Sequence, residues 1–248
     1  MTDNGNPFSL TGKTVLVTGA SSGIGRSIAL ACSQMGSVVV VGGRNETRLA
    51  ETLALLEGGP HIVAAGDLLD ESAVTKLVDS LPALDGVVHC AGIGQRKICK
   101  QLTAGDIDEV MAVNFKAPVL LQAQLLTHKK LKRGGSIVFI SSVAATSPSI
   151  GNAVYSASKA ALLSYADCLS LELAPRGIRV NAICPAMVWT DLIFQGGLTR
   201  EDLLSDEASY PLKRYGQPED IAPLAVYLLS AASVWMTGSH LPITGGYR

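Results

Sequence analysis

Residues 13–25 read KTVLVTGASSGIG, and this stretch decides the fold. Lys13 to Thr18 is a short, almost unbroken apolar run of β-branched residues, the pattern of a strand buried on both faces. A glycine-rich turn follows, and Ile24 to Met35 then has the spacing of a helix. A turn joining a first strand to a first helix is where a doubly wound sheet binds a dinucleotide. Gly19 allows the tight reversal, Gly23 lets backbone approach a pyrophosphate, and Gly25 lets the helix pack close to the strand. Ser21, Ser22 and Ile24 complete the turn. The helix N-terminus behind it offers free N–H groups and a partial positive charge to an anion. The spacing is not G-x-G-x-x-G, so the inference rests on where the turn sits.

The same alternation continues outward along the chain. Strands are predicted at Ser37–Val41, His61–Ala65, Gly86–Cys90, Ser136–Ser141, Ile178–Cys184 and Ser239–Ile243. Helices are predicted at Glu46–Glu57, Glu71–Ser80, Val154–Ala174 and Pro218–Ser230, and Thr103–Leu131 reads as mostly helical. Alternating apolar strands and helices imply an α/β fold, a parallel sheet with helices on both faces and right-handed crossovers. The one long stretch without clear periodicity, residues 186–210, is expected to fold over the site as a lid.

Composition narrows the function classes. The chain has 248 residues, 48% of them hydrophobic and 17% charged, which suits one domain with a large core and argues against disorder. A net charge of -1 supplies no basic field for nucleic acid. The five cysteines are scattered without a C-x-x-C pair and read as reduced thiols of a cytoplasmic protein. The four histidines show no metal-ligand spacing, so no metal is expected. The polar start MTDNGNPFSL is not a signal peptide, and no apolar run is long enough to span a bilayer.

Two further features bear on chemistry. The second strand runs into Val41-Gly42-Gly43-Arg44, with no acidic residue to take the adenosine ribose hydroxyls. An arginine there can pair with a 2′-phosphate, which favours NADP(H), with NAD(H) as the other option. Tyr155 and Lys159 stand four apart on a predicted helix and so share a face. An ammonium beside a phenol lowers the phenol pKa from about 10 and fits it for acid/base work. Ser142, at the end of the fifth strand, is placed to converge with Tyr155 on one carbonyl oxygen.

Thr18-to-Gly25 (TGASSGIG), Asn114, Ser142 and Tyr155-Ser156-Ala157-Ser158-Lys159 together resemble the short-chain dehydrogenase/reductase family, and the likeness runs to the ending, where YPLKRYGQPEDIA leads to TGSHLPITGGYR. The resemblance implies a single-domain Rossmann fold over residues 1–248, a seven-stranded doubly wound parallel sheet, and a homotetramer. It implies that Tyr155 exchanges a proton with the substrate oxygen, that Ser142 orients that oxygen, and that Lys159 holds the nicotinamide ribose. Asn114 would anchor a water for a proton relay. Asp67 and Leu68 resemble the family's adenine-binding pair. Val188 matches its nicotinamide-amide contact and Thr190 its carboxamide or pyrophosphate contact, while Ala91, Gly92 and Pro185 line the cofactor.

Two positions depart from the family pattern. Cys90-Ala91-Gly92 stands where Asn-Ala-Gly is usual, exchanging a hydrogen-bonding amide for a thiol, so loss of rigidity is expected. Nothing near Cys90 in sequence would activate it as a nucleophile. Pro185-Ala186 replaces Pro-Gly, and the added methyl is expected to limit the backbone.

Met187, Trp189, Leu192, Ile193 and Phe194 would make the lid apolar and favour an apolar or mid-sized carbonyl, unless they simply pack a short helix. Lys129, Lys130, Lys132, Arg133 and Arg176 form a basic patch. It is either a carrier-protein or coenzyme phosphate contact at the site mouth, as in the related β-ketoacyl-carrier-protein reductases, or a solvated helix end. Three functions are compatible with these residues. They are an NADPH-dependent carbonyl reductase, an NAD(P)-dependent dehydrogenase of a secondary alcohol or sugar, and a cofactor-binding sensor without turnover. Intact Ser142, Tyr155 and Lys159 weigh against the last.

Overall fold

The structure, a computed structural model, describes residues 5–196 and 199–247. Residues 1–4 at the polar start, positions 197 and 198 of the expected lid, and Arg248 lie outside the described residues.

Seven parallel strands form one sheet in the order β3-β2-β1-β4-β5-β6-β7. They are β1 Thr14–Thr18, β2 Val38–Gly43, β3 Ile62–Ala65, β4 Leu84–His89, β5 Leu131–Ile140, β6 Arg179–Pro185 and β7 Ser239–Ile243. The helices are α1 Gly23–Gln34, α2 Glu46–Ala54, α3 Glu71–Ser80, α4 Ala104–Met111, α5 Ala117–Thr127, α6 Ala153–Leu173, α7 Arg200–Glu207 and α8 Pro218–Leu229. The expected α/β class and seven-stranded sheet are both present.

The strand alternation divides the core in two. Leu16, Val40, Val87, Ile137 and Phe139 face one side and pack with Val74, Leu121, Leu125 and Leu162 of α3, α5 and α6. Their neighbours Val15, Val17, Val39, Val41, Val88 and Val138 face the other and pack with Ile28, Leu49, Ile221 and Ala225 of α1, α2 and α8. A strand apolar at every position is thereby buried on both faces, each large side chain contributing about 1.5–3 kcal/mol. The strand order reverses between β1 and β4, and the crevice at their carboxyl ends is the natural ligand site of such a sheet.

The stretch expected to be mostly helical, Thr103 to Leu131, is three helical pieces and part of a strand. Thr103 and Asp106 form a capping box that starts α4, residues Ala112–Lys116 make a π-helical turn, and α5 follows with Pro118 in its first turn. Leu131 is the first residue of β5, which pairs with Leu84, so that strand begins five residues before the expected Ser136. The apolar pattern is continuous across all these joints, so periodicity alone does not reveal them. β4 likewise ends at His89, leaving Cys90 to turn away from the sheet.

Candidate active site

At the crevice the backbones of two loops nearly touch. A Cβ on Gly19, whose φ is +68°, would lie 2.9 Å from the Ala91 N and Cα atoms. A Cβ on Gly25 would collide with the Gly19 carbonyl oxygen, so α1 can start against this turn only without a side chain there. The roles expected of these two glycines therefore have a steric basis. The Thr18 hydroxyl accepts the Cys90 N–H at 3.0 Å and the Ala91 N–H at 3.2 Å. This anchor ties the loop after β4 to the end of β1 through backbone N–H groups, so it does not depend on the side chain at position 90. Ala186 has no positive φ, and its methyl packs against the buried Leu203, Tyr210 and Tyr215 cluster, so it carries no backbone strain.

One cleft of about 650 Å³ runs along the carboxyl ends of the strands. Every residue expected to hold the cofactor lines it, from Gly19 to Thr190 and including Arg44, Asp67, Leu68, Gly92, Pro185 and Val188. Ser142, Tyr155 and Lys159 line it as well. Asn114 does not; it lies behind the wall, 1% exposed. Its Oδ1 accepts the Ile93 N–H at 2.8 Å, and its Nδ2 donates to the Ile93 carbonyl at 3.0 Å and to Ser158 Oγ at 3.1 Å. The π-helical turn carries Asn114 into this position, where its amide clamps the loop after β4 to α6.

The Tyr155 and Lys159 side chains project from α6, which is pinned to β5 by a hydrogen bond from Ser141 Oγ to the Lys159 carbonyl at 3.0 Å. Ser142 opens the short turn after β5, its Oγ accepting the Ala144 N–H at 3.1 Å, and its hydroxyl reaches Tyr155. Burial pushes the Tyr155 phenol above its usual range, and the Ser142 hydrogen bond opposes that shift. Lys159 is buried with no carboxylate partner among the described residues, and burial pulls its ammonium down to about 8. The expected lowering of the phenol by Lys159 is not found in this chain by itself, because desolvation dominates both groups. Burial also pushes the Cys90 thiol up to about 12, so Cys90 stays protonated and is no nucleophile.

Arg44 follows β2, exposed at the far end of the cleft, without a hydrogen bond or ion pair among the described residues. Arg48, one turn into α2, lines the same end. The sequence reading missed Arg48 because a lone arginine in a helix carries no signal until the tertiary fold turns it toward the cleft. Gln95, Arg96, Ser147, Asn152 and Gln195 were missed for the same reason; they stand on three separate loops and meet only at the other end.

Two readings left open by the sequence are decided here. The basic segment lies at the amino ends of the strands, opposite the cleft. Lys130 donates to the Asp79 and Leu81 carbonyls, Lys132 pairs with Asp85 at 2.8 Å, and Arg133 and Arg176 donate to the Pro175 and Leu131 carbonyls. The parallel sheet separates a strand's start from its end by the strand's whole length, so this patch does not reach the chain's own site. In the 186–210 segment, Trp189 and Ile193 pack on Tyr210 and Tyr215, and Trp189 Nε1 donates to Glu207 at 2.9 Å. Ordinary packing accounts for these two, while Met187, Leu192 and Ile193 still line the cleft.

A family model described as Enoyl-(Acyl carrier protein) reductase matches residues 19–248. The chain belongs to the short-chain dehydrogenase/reductase family. It is 34% identical over 237 residues to the 3-oxoacyl-acyl-carrier-protein reductase FabG of Rickettsia felis, covering 96% of this chain and 97% of that one. It is 36% identical over 247 residues to the L-xylulose reductase of Caenorhabditis elegans, covering 97% of each. A dehydrogenase/reductase structure from Sinorhizobium meliloti superposes with a TM-score of 0.88 at 34% identity, over 97% of this chain and 96% of that one. A Beutenbergia cavernae structure, provisionally named an NAD(P) dependent gluconate 5-dehydrogenase and solved with NADP bound at low occupancy, gives 0.86 at 33%, over 97% and 98%. Family membership makes the chain an NAD(P)-binding oxidoreductase that interconverts CH–OH and C=O.

Proposed function

We propose that this short-chain dehydrogenase/reductase reduces a carbonyl with NADPH, Tyr155 giving the proton. The observation that carries this reading is a buried, protonated phenol beside Ser142, in the cleft that begins at the glycine turn. A neutral phenol is the form a reductase needs, since it must donate to the oxygen that becomes negative. Bound in the cleft, the dinucleotide supplies the hydride. The turn suits a pyrophosphate because Gly19 and Gly25 let α1 start directly against it, with the free N–H groups of the helix N-terminus at the cleft. Arg44 and Arg48 together suit a 2′-phosphate, which favours NADP(H) over NAD(H). Asp67 and Leu68 would flank the adenine, and Val188 and Thr190 the nicotinamide end.

Ser142 would orient the substrate oxygen, and Lys159 would hold the nicotinamide ribose and, once its ammonium faces that ribose, favour the developing phenolate. Asn114 would position a water behind Lys159 for proton resupply. The same groups run in reverse as a secondary alcohol or sugar dehydrogenase, and the polar side chains at the substrate end favour keeping that second reading. The first test is NADPH and NADH consumption by the purified chain across diketones, aromatic ketones, ketoses and β-ketoacyl thioesters. Turnover that is faster with NADPH and abolished by Tyr155→Phe is expected. Cofactor binding without turnover of any ketone or alcohol would refute it and leave the sensor reading.

The family resemblance also leads us to expect one domain whose residues 186–210 act as the substrate lid, in a cytoplasmic homotetramer. Among the described residues no helix is long and apolar enough to cross a membrane. Leu171 on α6 is 77% exposed and Trp235 before β7 is 99% exposed, and contacts between copies would cover such side chains. Sedimentation at micromolar concentration checks the assembly.

A further inference from the structure

The substrate end of the cleft is walled by two touching segments, residues 94–97, which follow β4 and of which Gly94, Gln95 and Arg96 line it, and residues 147–152, which lead into α6. Most polar groups of the first wall are taken. The Gly94 N–H donates to Gln195 Oε1 at 2.8 Å, and the Gln95 amide donates to the Asp106 carbonyl at 3.1 Å. Lys97 is paired with Asp106 at 2.7 Å, and its N–H donates to the Gly151 carbonyl at 2.7 Å. Arg96, between them, makes no hydrogen bond or ion pair among the described residues and lines the cleft.

Its direction is set by Gly151. A Cβ on Gly151 would come within 3.0 Å of Arg96 Cγ and 3.8 Å of its Nε, so the arginine stem lies across the bare glycine. Gly151 is four residues before Tyr155, which holds the two within roughly 14 Å even for extended chain. The second wall offers matching groups. Ser147 has a hydroxyl and Asn152 a side-chain Oδ1 with no partner among the described residues, and the Asn152 Nδ2 donates to Ser149 Oγ at 2.8 Å. Of the acids lining the cleft, Asp202 is bound by Thr199 at 2.6 Å and Asp206 by the Tyr215 hydroxyl at 2.7 Å. Asp191 follows Thr190, whose methyl lies against Gly23 at the phosphate end. Of the other cations in the cleft, Arg44 and Arg48 stand at the adenosine end and Lys159 faces the Ile140 carbonyl.

We propose that Arg96 is an anion subsite for the substrate. Its planar guanidinium takes a carboxylate or phosphate in bidentate fashion, while Ser147 and Asn152 take hydroxyl groups. The preferred substrate is then a hydroxylated carbonyl compound with an anionic group several carbons from the reacting carbon, and not an apolar ketone. This rests on the reading of Tyr155 as the proton donor at the other end of the same pocket.

The test compares three ketones of equal chain length in the full chain with NADPH. One carries a terminal carboxylate, one a terminal phosphate and one a neutral hydroxymethyl. The wild-type chain should prefer an anionic member, and the two anionic arms say which anion. Arg96→Gln should lower the anionic-to-neutral ratio of kcat/KM at least tenfold, chiefly through KM, and Arg96→Lys should restore part of it. A wild type indifferent to the anion, or an unchanged ratio in Arg96→Gln, overturns the subsite. If no ketone is reduced, the hydride-transfer reading has failed instead. The subsite is then judged by thermal shift: a sugar acid must raise the melting temperature of the wild type and not of Arg96→Gln, and an equal rise or no rise overturns it.

Discussion

The Lys159 Nζ lies 5.8 Å from the centre of the Tyr155 ring, one helical turn away, and donates its hydrogen bond to the Ile140 carbonyl at 3.0 Å. The two groups share one buried pocket and are driven apart in proton affinity by the same cause. Removal from water disfavours a phenolate and an ammonium alike, raising the first and lowering the second. At neutral pH the tyrosine keeps its proton, ready to donate.

Reduction and oxidation should therefore respond to pH in opposite senses. Oxidation needs the phenolate and should rise with pH. Reduction should be flat from pH 6 to 7.5 and fall above about 8, where Lys159 loses its charge and its hold on the ribose weakens. Initial rates in both directions across pH 6–10 check this, and parallel profiles would refute it.

Tyr155→Phe removes only a hydroxyl oxygen. It should bind NADPH as the wild type does, by fluorescence titration, while kcat falls about 100- to 10,000-fold, the usual contribution of a general acid. Retained turnover would falsify the assignment.

Arg44→Asp should replace a partner for the 2′-phosphate with a repelling charge. A charge-assisted hydrogen bond contributes about 1.5–3 kcal/mol, so the NADPH-to-NADH ratio of kcat/KM should drop about 10- to 100-fold. Arg48→Ala should lower it less, because Arg44 remains. An unchanged ratio in both variants would remove the phosphate from this end of the cleft.

Thr18→Val keeps the shape of the side chain and deletes the acceptor of the Cys90 and Ala91 N–H groups. Orphaning such groups costs about 1–3 kcal/mol. A lower urea midpoint and a weaker NADPH Kd are expected together; a loss of stability with full cofactor affinity would separate the loop from the site.

His89 is 2% exposed, stacked on Phe139 at 4.7 Å and bonded to Gln122 at 3.0 Å. Burial lowers its pKa from 6.5 to about 4, so the folded chain holds it neutral while the unfolded chain takes up a proton. Its contribution is complete above pH 6.5 and is lost as the pH falls toward 4, up to about 3 kcal/mol. Urea unfolding at pH 7 and pH 5 should show the loss, and His89→Asn should show less of it.

The phosphate turn was legible because its glycines answer to constraints within a dozen residues, and Tyr155 with Lys159 because one helix sets their spacing. Ser142 could be read from its place at a strand end. Arg96 could not, since its direction depends on Gly151, more than fifty residues away in the chain. The basic run 129–133 left two readings open because its charge is a local fact and its distance from the cleft is not.

The alternation of apolar strands and helices determined the sheet, and the turn at 19–25 determined which end of it holds the candidate cofactor site, because both are written in short-range pattern. The tertiary structure decided the burial that raises the Tyr155 pKa and lowers that of Lys159, the anchoring of Cys90 by Thr18 and the placing of Arg96 against Gly151 in the cleft that Ser147 and Asn152 also line. Burial, hydrogen-bond partners and charge balance are sums over residues remote in the chain, and only the folded packing brings their members together.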